Sequence, residues 1–184
     1  MVYIPTGKEM IDPFQLLEEA GVRAGMKVAD FGCGTIGHYV FPAARLVGPE
    51  GRVYAVDILK SVLNGIASRI KMESAANVET IWGDLERPKG ISLADGSVDV
   101  GLVINNLFMS KQREVLVKEC ARMVRHGGRL VLVDWKPTGV AFGPEQATRL
   151  GPEEGRKIAE TAKLVFERQF TPGKYHWGLI FTKP

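Results

Sequence analysis

Cysteine is scarce in this chain. Cys33 and Cys120 belong to different expected elements and show no metal-ligand spacing, which excludes a disulfide framework and a thiolate-built metal site and points to reduced thiols in a cytoplasmic setting. Long apolar runs are missing too. None approaches the ~18 residues of a membrane span, and Met1 to Lys8 places no apolar stretch behind a basic start. Neither membrane insertion nor secretion is expected. Charge of one sign is equally lacking: 24 Lys and Arg against 21 Asp and Glu leave a net +3, too small to select a class of partner. Internal repeats and low-complexity tracts are absent. What is present, 45% hydrophobic and 24% charged residues over 184 positions, is the composition of one soluble domain. Such a chain buries roughly 70% of its unfolded surface and needs no metal or disulfide to fold.

The pattern along the chain alternates. Asp12-Pro13 caps and starts a short helix whose apolar face is Phe14, Leu16, Leu17 and Ala20, and Gly21 ends it. Strands are expected at Val28 to Phe31, Val53 to Val56 and Val78 to Ile81, with helices from His38 to Val47 and from Lys60 to Ser74 between them. Val98, Val100, Leu102, Val103 and Ile104 form a nearly continuous apolar run, the mark of a central strand covered on both faces of a parallel sheet. A helix from Lys111 to Val124 follows, closed by His126-Gly127-Gly128, and Leu130 to Val133 is the fifth strand. Lys136 to Gly151 reads as a Gly- and Pro-rich loop, and Pro152 to Lys163 as a helix. Val165 to Phe170 and Tyr175 to Thr182 then read as an antiparallel hairpin across Thr171-Pro172-Gly173-Lys174. This order implies an α/β fold, a doubly wound and mostly parallel sheet with an antiparallel carboxyl-terminal hairpin. The expected division of the single domain 1–184 is an N-terminal lid and helix (1–22), a cofactor-binding core (23–135), and a loop, helix and hairpin (136–184).

In such sheets ligands bind beyond the carboxyl ends of the strands. The first strand ends in Asp30-Phe31-Gly32-Cys33-Gly34, where glycines allow a sharp turn and close approach of a ligand to bare backbone. Asp30 would repel a pyrophosphate and attract an amine, which favours the amino-acid end of S-adenosylmethionine over a dinucleotide. Asp57, after the second strand, has paired acceptors suited to two ribose hydroxyls. Asp84, after the third, suits an adenine amine, and Asn105-Asn106 end the fourth.

These segments together resemble the class I S-adenosylmethionine-dependent methyltransferases, in the branch that includes the ubiquinone and menaquinone C-methyltransferases (methyltransferase type 11). Val28 to Gly34 is similar to the first motif and Val53-Tyr54-Ala55-Val56-Asp57 to the acidic second one. Gly83-Asp84, Ser97-Val98-Asp99-Val100 and Arg125 to Asp134 are similar to the later ones. The resemblance spans Val22 to Asp134. It implies a Rossmann-like seven-stranded sheet and a cofactor site in which Asp30, Gly32, Cys33 and Gly34 hold the methionine moiety. Asp57 with Ile58 would hold the ribose, Asp84 with Leu85 the adenine, and Asn105 would face the sulfonium. The family commonly has a glycine two residues after Gly34, whereas here Gly37 gives Gly32-x-Gly34-x-x-Gly37, which is also the dinucleotide fingerprint. Gly37 is counted with the cofactor site. An NAD-dependent oxidoreductase is the alternative enzyme, and a non-catalytic S-adenosylmethionine-binding subunit the alternative outside catalysis.

No metal site and no catalytic acid or base stands out, so the attacked atom of the acceptor is open. A small-molecule acceptor is expected, with protein and RNA acceptors left open, no membrane, and a homodimer permitted. His176 is read as a packed or solvated strand histidine, and the run Lys111, Arg113, Lys118, Arg122, Arg125 and Arg129 as a solvated helix face. Met1 to Ile11 and Lys136 to Gly151 are the irregular segments expected to close over the cofactor.

Overall fold

Asp12 caps the first helix as its sequence demands: its carboxylate accepts from the N–H groups of Phe14 (2.9 Å) and Gln15 (3.2 Å), and Pro13 fills the first helical position. The computed structural model describes residues 10–184. After α1 (Pro13–Glu19) come β1 (Lys27–Phe31), α2 (Val40–Val47), β2 (Arg52–Asp57), α3 (Lys60–Glu73), β3 (Val78–Trp82) and β4 (Val98–Ile104). The chain continues through α4 (Arg113–Met123), β5 (Val124–Trp135), a 3-10 turn at Gln146–Thr148, α5 (Pro152–Thr161), β6 (Val165–Phe170) and β7 (His176–Thr182).

The seven strands form one sheet in the order β3-β2-β1-β4-β5-β7-β6, with β4 at its centre. Pairings from β3 to β5 are parallel, and β7 runs antiparallel to both β5 and β6. One face carries Val28, Val53, Val100, Leu102 and Val131 against α1, α2 and α3. The other carries Phe31, Val103, Leu130, Leu132 and Phe181 against α4 and α5. Burying each such side chain contributes roughly 1.5–3 kcal/mol, and double coverage explains why β4 is apolar at nearly every position. The strand order reverses between β1 and β4, which opens a crevice above their carboxyl ends.

Some boundaries differ from the sequence reading. The second helix starts at Val40 rather than His38, because residues 34–39 run through consecutive turns. The fourth helix ends at Met123 with Val124 already extended, so His126-Gly127-Gly128 is no helix cap but lies in an irregular stretch of β5 between the pairs Val98–Val124 and Val100–Arg129. The helix end is satisfied from elsewhere: the Lys183 ammonium donates to the carbonyls of Ala121, Arg122 and Val124 at 2.9, 3.1 and 2.7 Å. The loop after β5 is knotted around one side chain. Arg149 donates to the carbonyls of Val140 (3.1 Å), Phe142 (2.8 Å) and Pro144 (2.9 and 2.7 Å), while Phe142 packs edge-on against Trp135 and Tyr175. Of the expected N-terminal lid, residues 1–9 lie outside the described residues, and Ile11 is buried in the core.

The basic run is largely ion-paired. Arg113 meets Glu154, Arg122 meets Glu119 and Asp95, Arg125 meets Asp99, and Arg129 meets Glu167. Among the described residues no helix is long and apolar enough to cross a membrane.

Candidate active site

A cavity of about 820 Å³ opens at the carboxyl ends of β1, β2, β3 and β4. Of the residues singled out from sequence, Asp30, Gly32, Cys33, Gly34, Asp57, Ile58, Asp84, Leu85 and Asn105 all line it. Gly37 does not. It sits at φ +55° with its Cα turned to the core, where a Cβ would stand 2.8 Å from Ile66 Cδ1 and 3.0 Å from Phe41 Cε2; its glycine serves helix packing rather than a ligand.

The turn after β1 is tied to β2. The N–H groups of Gly32 and Cys33 both donate to the Val56 carbonyl (2.8 and 3.0 Å), and Gly34 N–H donates to Asp57 Oδ2 (3.2 Å). Asp57 Oδ1 accepts from Leu59 N–H at 2.9 Å, so this carboxylate, 9% exposed, also orders the entry to α3. The contact with Gly34, 23 positions away, was not legible from sequence. Gly32, at φ +75°, lies against the Asn106 side chain, which a Cβ there would strike. Asn106 needs that space: its amide donates to the carbonyls of Phe31 and Ile104, both at 2.9 Å, clamping the ends of β1 and β4 together.

Its neighbour behaves differently. Asn105 adopts φ +57°, a conformation that Asn tolerates better than most residues, and its Oδ1 is buried without a partner among the described residues. The turn holding it is fixed by buried Asp134, which accepts from Leu107 N–H (2.9 Å), Phe108 N–H (3.1 Å) and Trp135 N–H (2.7 Å). Burial outweighs those three donors and raises its carboxyl to about 6.

Asp30 is 2% exposed, and its Oδ2 likewise has no partner among the described residues. Burial and then the Asp57 charge raise its carboxyl to about 7. Burial, followed by the Asp30 and Asp57 charges, pushes the Cys33 thiol well above its ordinary range; burial and Asp30 do the same to the Tyr39 hydroxyl. Neither supplies a nucleophile near neutral pH. The far wall is the segment between β3 and β4. Asp84 Oδ1 accepts from Glu86 N–H (2.9 Å), so Asp84 orders its own turn as well as facing the cavity. This segment is strapped to α4, where Glu119 accepts from the N–H groups of Lys89 (2.9 Å) and Ile91 (3.2 Å), and Arg122 donates to the carbonyls of Leu93 and Ile91.

Tyr39, Glu86, Met109 and Gln112 also line the cavity and were not singled out from sequence. Their shared signal is position, just beyond a strand end or at the first turn of the following helix. None of the loop 136–151 lines it. His176 is fully buried beside Trp135, with ring centroids 4.4 Å apart and neither ring nitrogen partnered among the described residues. It is a packed histidine.

Among the described residues, four carboxylates, Asp30, Asp57, Asp84 and Glu86, line the cavity, and no Lys or Arg does. Such a surface repels a pyrophosphate and suits a ligand carrying positive charge.

Comparison with known proteins agrees with this geometry. Residues 29–132 match the family described as a methyltransferase domain. The ubiquinone/menaquinone biosynthesis C-methyltransferase of Pseudomonas putida is 32% identical over 124 residues, covering 66% of this chain and 47% of that protein. The nocamycin O-methyltransferase of Saccharothrix syringae is 30% identical over 133 residues, covering 71% and 46%. The chain spans about half the length of the curated relatives it matches. A solved S-adenosylmethionine-dependent methyltransferase from Aquifex aeolicus superposes with a TM-score of 0.89 at 26% identity, covering 98% of this chain and 94% of that one. By a match over more than half its length, on this sheet and with this site, the chain belongs to the methyltransferase-domain family, with the class I S-adenosylmethionine-dependent fold.

Proposed function

We propose that the protein transfers a methyl group from S-adenosylmethionine to a small-molecule acceptor in the cytoplasm, as one domain in which residues 23–135 carry the cofactor site. The observation that carries this reading is the cavity wall, which among the described residues has four carboxylates, no Lys or Arg, and two buried polar atoms, Asp30 Oδ2 and Asn105 Oδ1, without partners. Unsatisfied buried groups are costly, and a ligand that engages them relieves that cost. At Gly34 a Cβ would meet nothing within 4 Å, so the backbone there is bare toward the cavity.

The residues suit the cofactor one by one. Asp30 would accept from the ammonium of its amino-acid end, the Asp57 carboxylate from the ribose hydroxyls, and Asp84 with Leu85 would take the adenine edge. Asn105 would serve the sulfonium end. When bound, S-adenosylmethionine supplies an activated methyl carbon and a neutral thioether leaving group. The chain contributes orientation and exclusion of water, through Ile104, Val62, Leu116 and the clamped ends of β1 and β4. Relatives named for quinone C-methylation and nocamycin O-methylation both act on small molecules, which supports a small acceptor here. The free thiols of Cys33 and Cys120 suit a reducing compartment.

Calorimetric titration with S-adenosylhomocysteine and NAD tests the reading, followed by labelled methyl transfer to a panel of quinols and phenols. Micromolar binding of the sulfur ligand with little affinity for NAD is expected; tighter NAD binding would overturn it.

A further inference from the structure

Asp30 sits where an anion is badly placed. It ends β1, is buried, and makes no hydrogen bond through Oδ2 to any described residue. Among the described residues, the groups that share the cavity with it offer no counter-charge. Asp57 comes from β2, Asp84 and Glu86 from the segment after β3, and the thiol of Cys33 and hydroxyl of Tyr39 stand close enough to feel its charge. From β4 come Ile104 and the uncharged Asn105 and Asn106, from α3 Val62, and from α4 Leu116 with Gln112 at its N-cap. His38, also at the cavity, places its Nε2 3.0 Å from the Ile11 carbonyl oxygen. A carboxylate this deeply buried, with Oδ2 unpartnered among the described residues and Asp57 nearby, favours the neutral acid.

We propose, on the reading of this cavity as an S-adenosylmethionine site, that Asp30 is uncharged in the ligand-free protein and ionises as the ligand's α-ammonium settles beside it, so that it selects nucleosides carrying an amino-acid end. The proton leaves to solvent, and the buried carboxyl becomes a carboxylate paired with the arriving cation. The arriving ammonium thereby meets a carboxylate that the free protein does not have to hold unpaired beside Asp57. The elevation of the Asp30 carboxyl to about 7, by burial and then by Asp57, agrees with this. It sets the range in which the exchange is visible. Below pH 7 affinity for an ammonium-bearing ligand falls close to tenfold per pH unit, and about one proton is released per ligand bound at pH 6.

The experiment is calorimetry between pH 5.5 and 7 in two buffers of different ionisation enthalpy. It uses S-adenosylhomocysteine and 5′-methylthioadenosine, which shares the adenosine and thioether but has no amino acid. Proton release with the first and none with the second is expected, together with loss of the release in Asp30→Asn. Infrared spectroscopy supplies a second readout: the Asp30 contribution to the protonated-carboxyl band, separate from that of Asp134, disappears on adding S-adenosylhomocysteine and is missing from Asp30→Asn. Binding of S-adenosylhomocysteine without proton release, or equal release by both ligands, overturns the proton exchange and leaves the cofactor assignment standing. Failure of both ligands to bind overturns both.

Discussion

At the scale of single residues, the side chains that line the cavity also hold its walls in place. Asp57 shows the consequence. It was legible from its place after an apolar strand, but its bond from Gly34 N–H was not, since sequence gives no sign of which backbone donor a carboxylate will meet across 23 positions. Asp57→Ala is therefore expected to do two things. Losing the charge-assisted bonds to the ribose weakens S-adenosylhomocysteine binding by roughly 1.5–3 kcal/mol, and leaving two N–H groups unmet lowers stability by about 1–2 kcal/mol. Asp57→Asn keeps an acceptor oxygen and recovers part of the stability but little of the affinity. Calorimetry with urea unfolding checks the pair, and an alanine variant that binds normally while unfolding early would make Asp57 a turn holder alone. The same kind of blindness explains Gly37. Spacing placed it with the phosphate-binding glycines, whereas the contact that requires it is with Ile66, 29 positions away.

At the scale of elements, period and caps carried most of the layout, and the errors fall where tertiary contacts replace a local signal. Asp12-Pro13 is a local cap and was read correctly; the end of α4 is capped by Lys183 from the far terminus, so the nearby glycines were credited instead. The loop after β5 was expected to be a mobile lid from its Gly and Pro content, but a single arginine, Arg149, gathers its carbonyls. The segment after β3 is the more consequential case, because it forms the far wall of the cavity and depends on α4. Glu119, 4% exposed, holds two of its N–H groups and pairs with Arg122, which holds two of its carbonyls. Glu119→Gln keeps the shape but removes the charge that links both sets. Faster hydrogen exchange over residues 84–97 and weaker cofactor binding are expected, with exchange in β1 and β4 unchanged. Uniform acceleration across the sheet would instead make Glu119 a general core residue.

At the scale of the whole molecule, the mostly parallel, doubly wound character of the sheet followed from strand and helix alternation together with the family resemblance, and the crevice followed from the sheet. What sequence could not express is the balance of buried charge, which depends on solvent exclusion summed over elements remote in the chain. Three buried groups dominate it. Burial, with Asp57 behind it, raises Asp30 to about 7; burial raises Asp134 to about 6; burial, with Lys136 nearby, lowers His176 to about 4. For the two carboxyls the folded state binds more protons than the unfolded one above about pH 4, so their contribution is present at acid pH and is lost as pH rises through 6 and 7. His176 has the opposite sign: its contribution is present above about 6.5 and is lost as pH falls toward 4. Two raised carboxyls outweigh one lowered imidazole, so stability of the free protein should decline by about 2–3 kcal/mol between pH 5 and 8, a falling trend where many proteins are level. Asp30→Asn removes the largest part of that decline and should stabilise the free protein at pH 8 while weakening its hold on S-adenosylhomocysteine. Urea unfolding at a series of pH values decides between this and the simpler case. A flat profile, unchanged by Asp30→Asn, would mean that Asp30 is solvated and ionised before the ligand arrives.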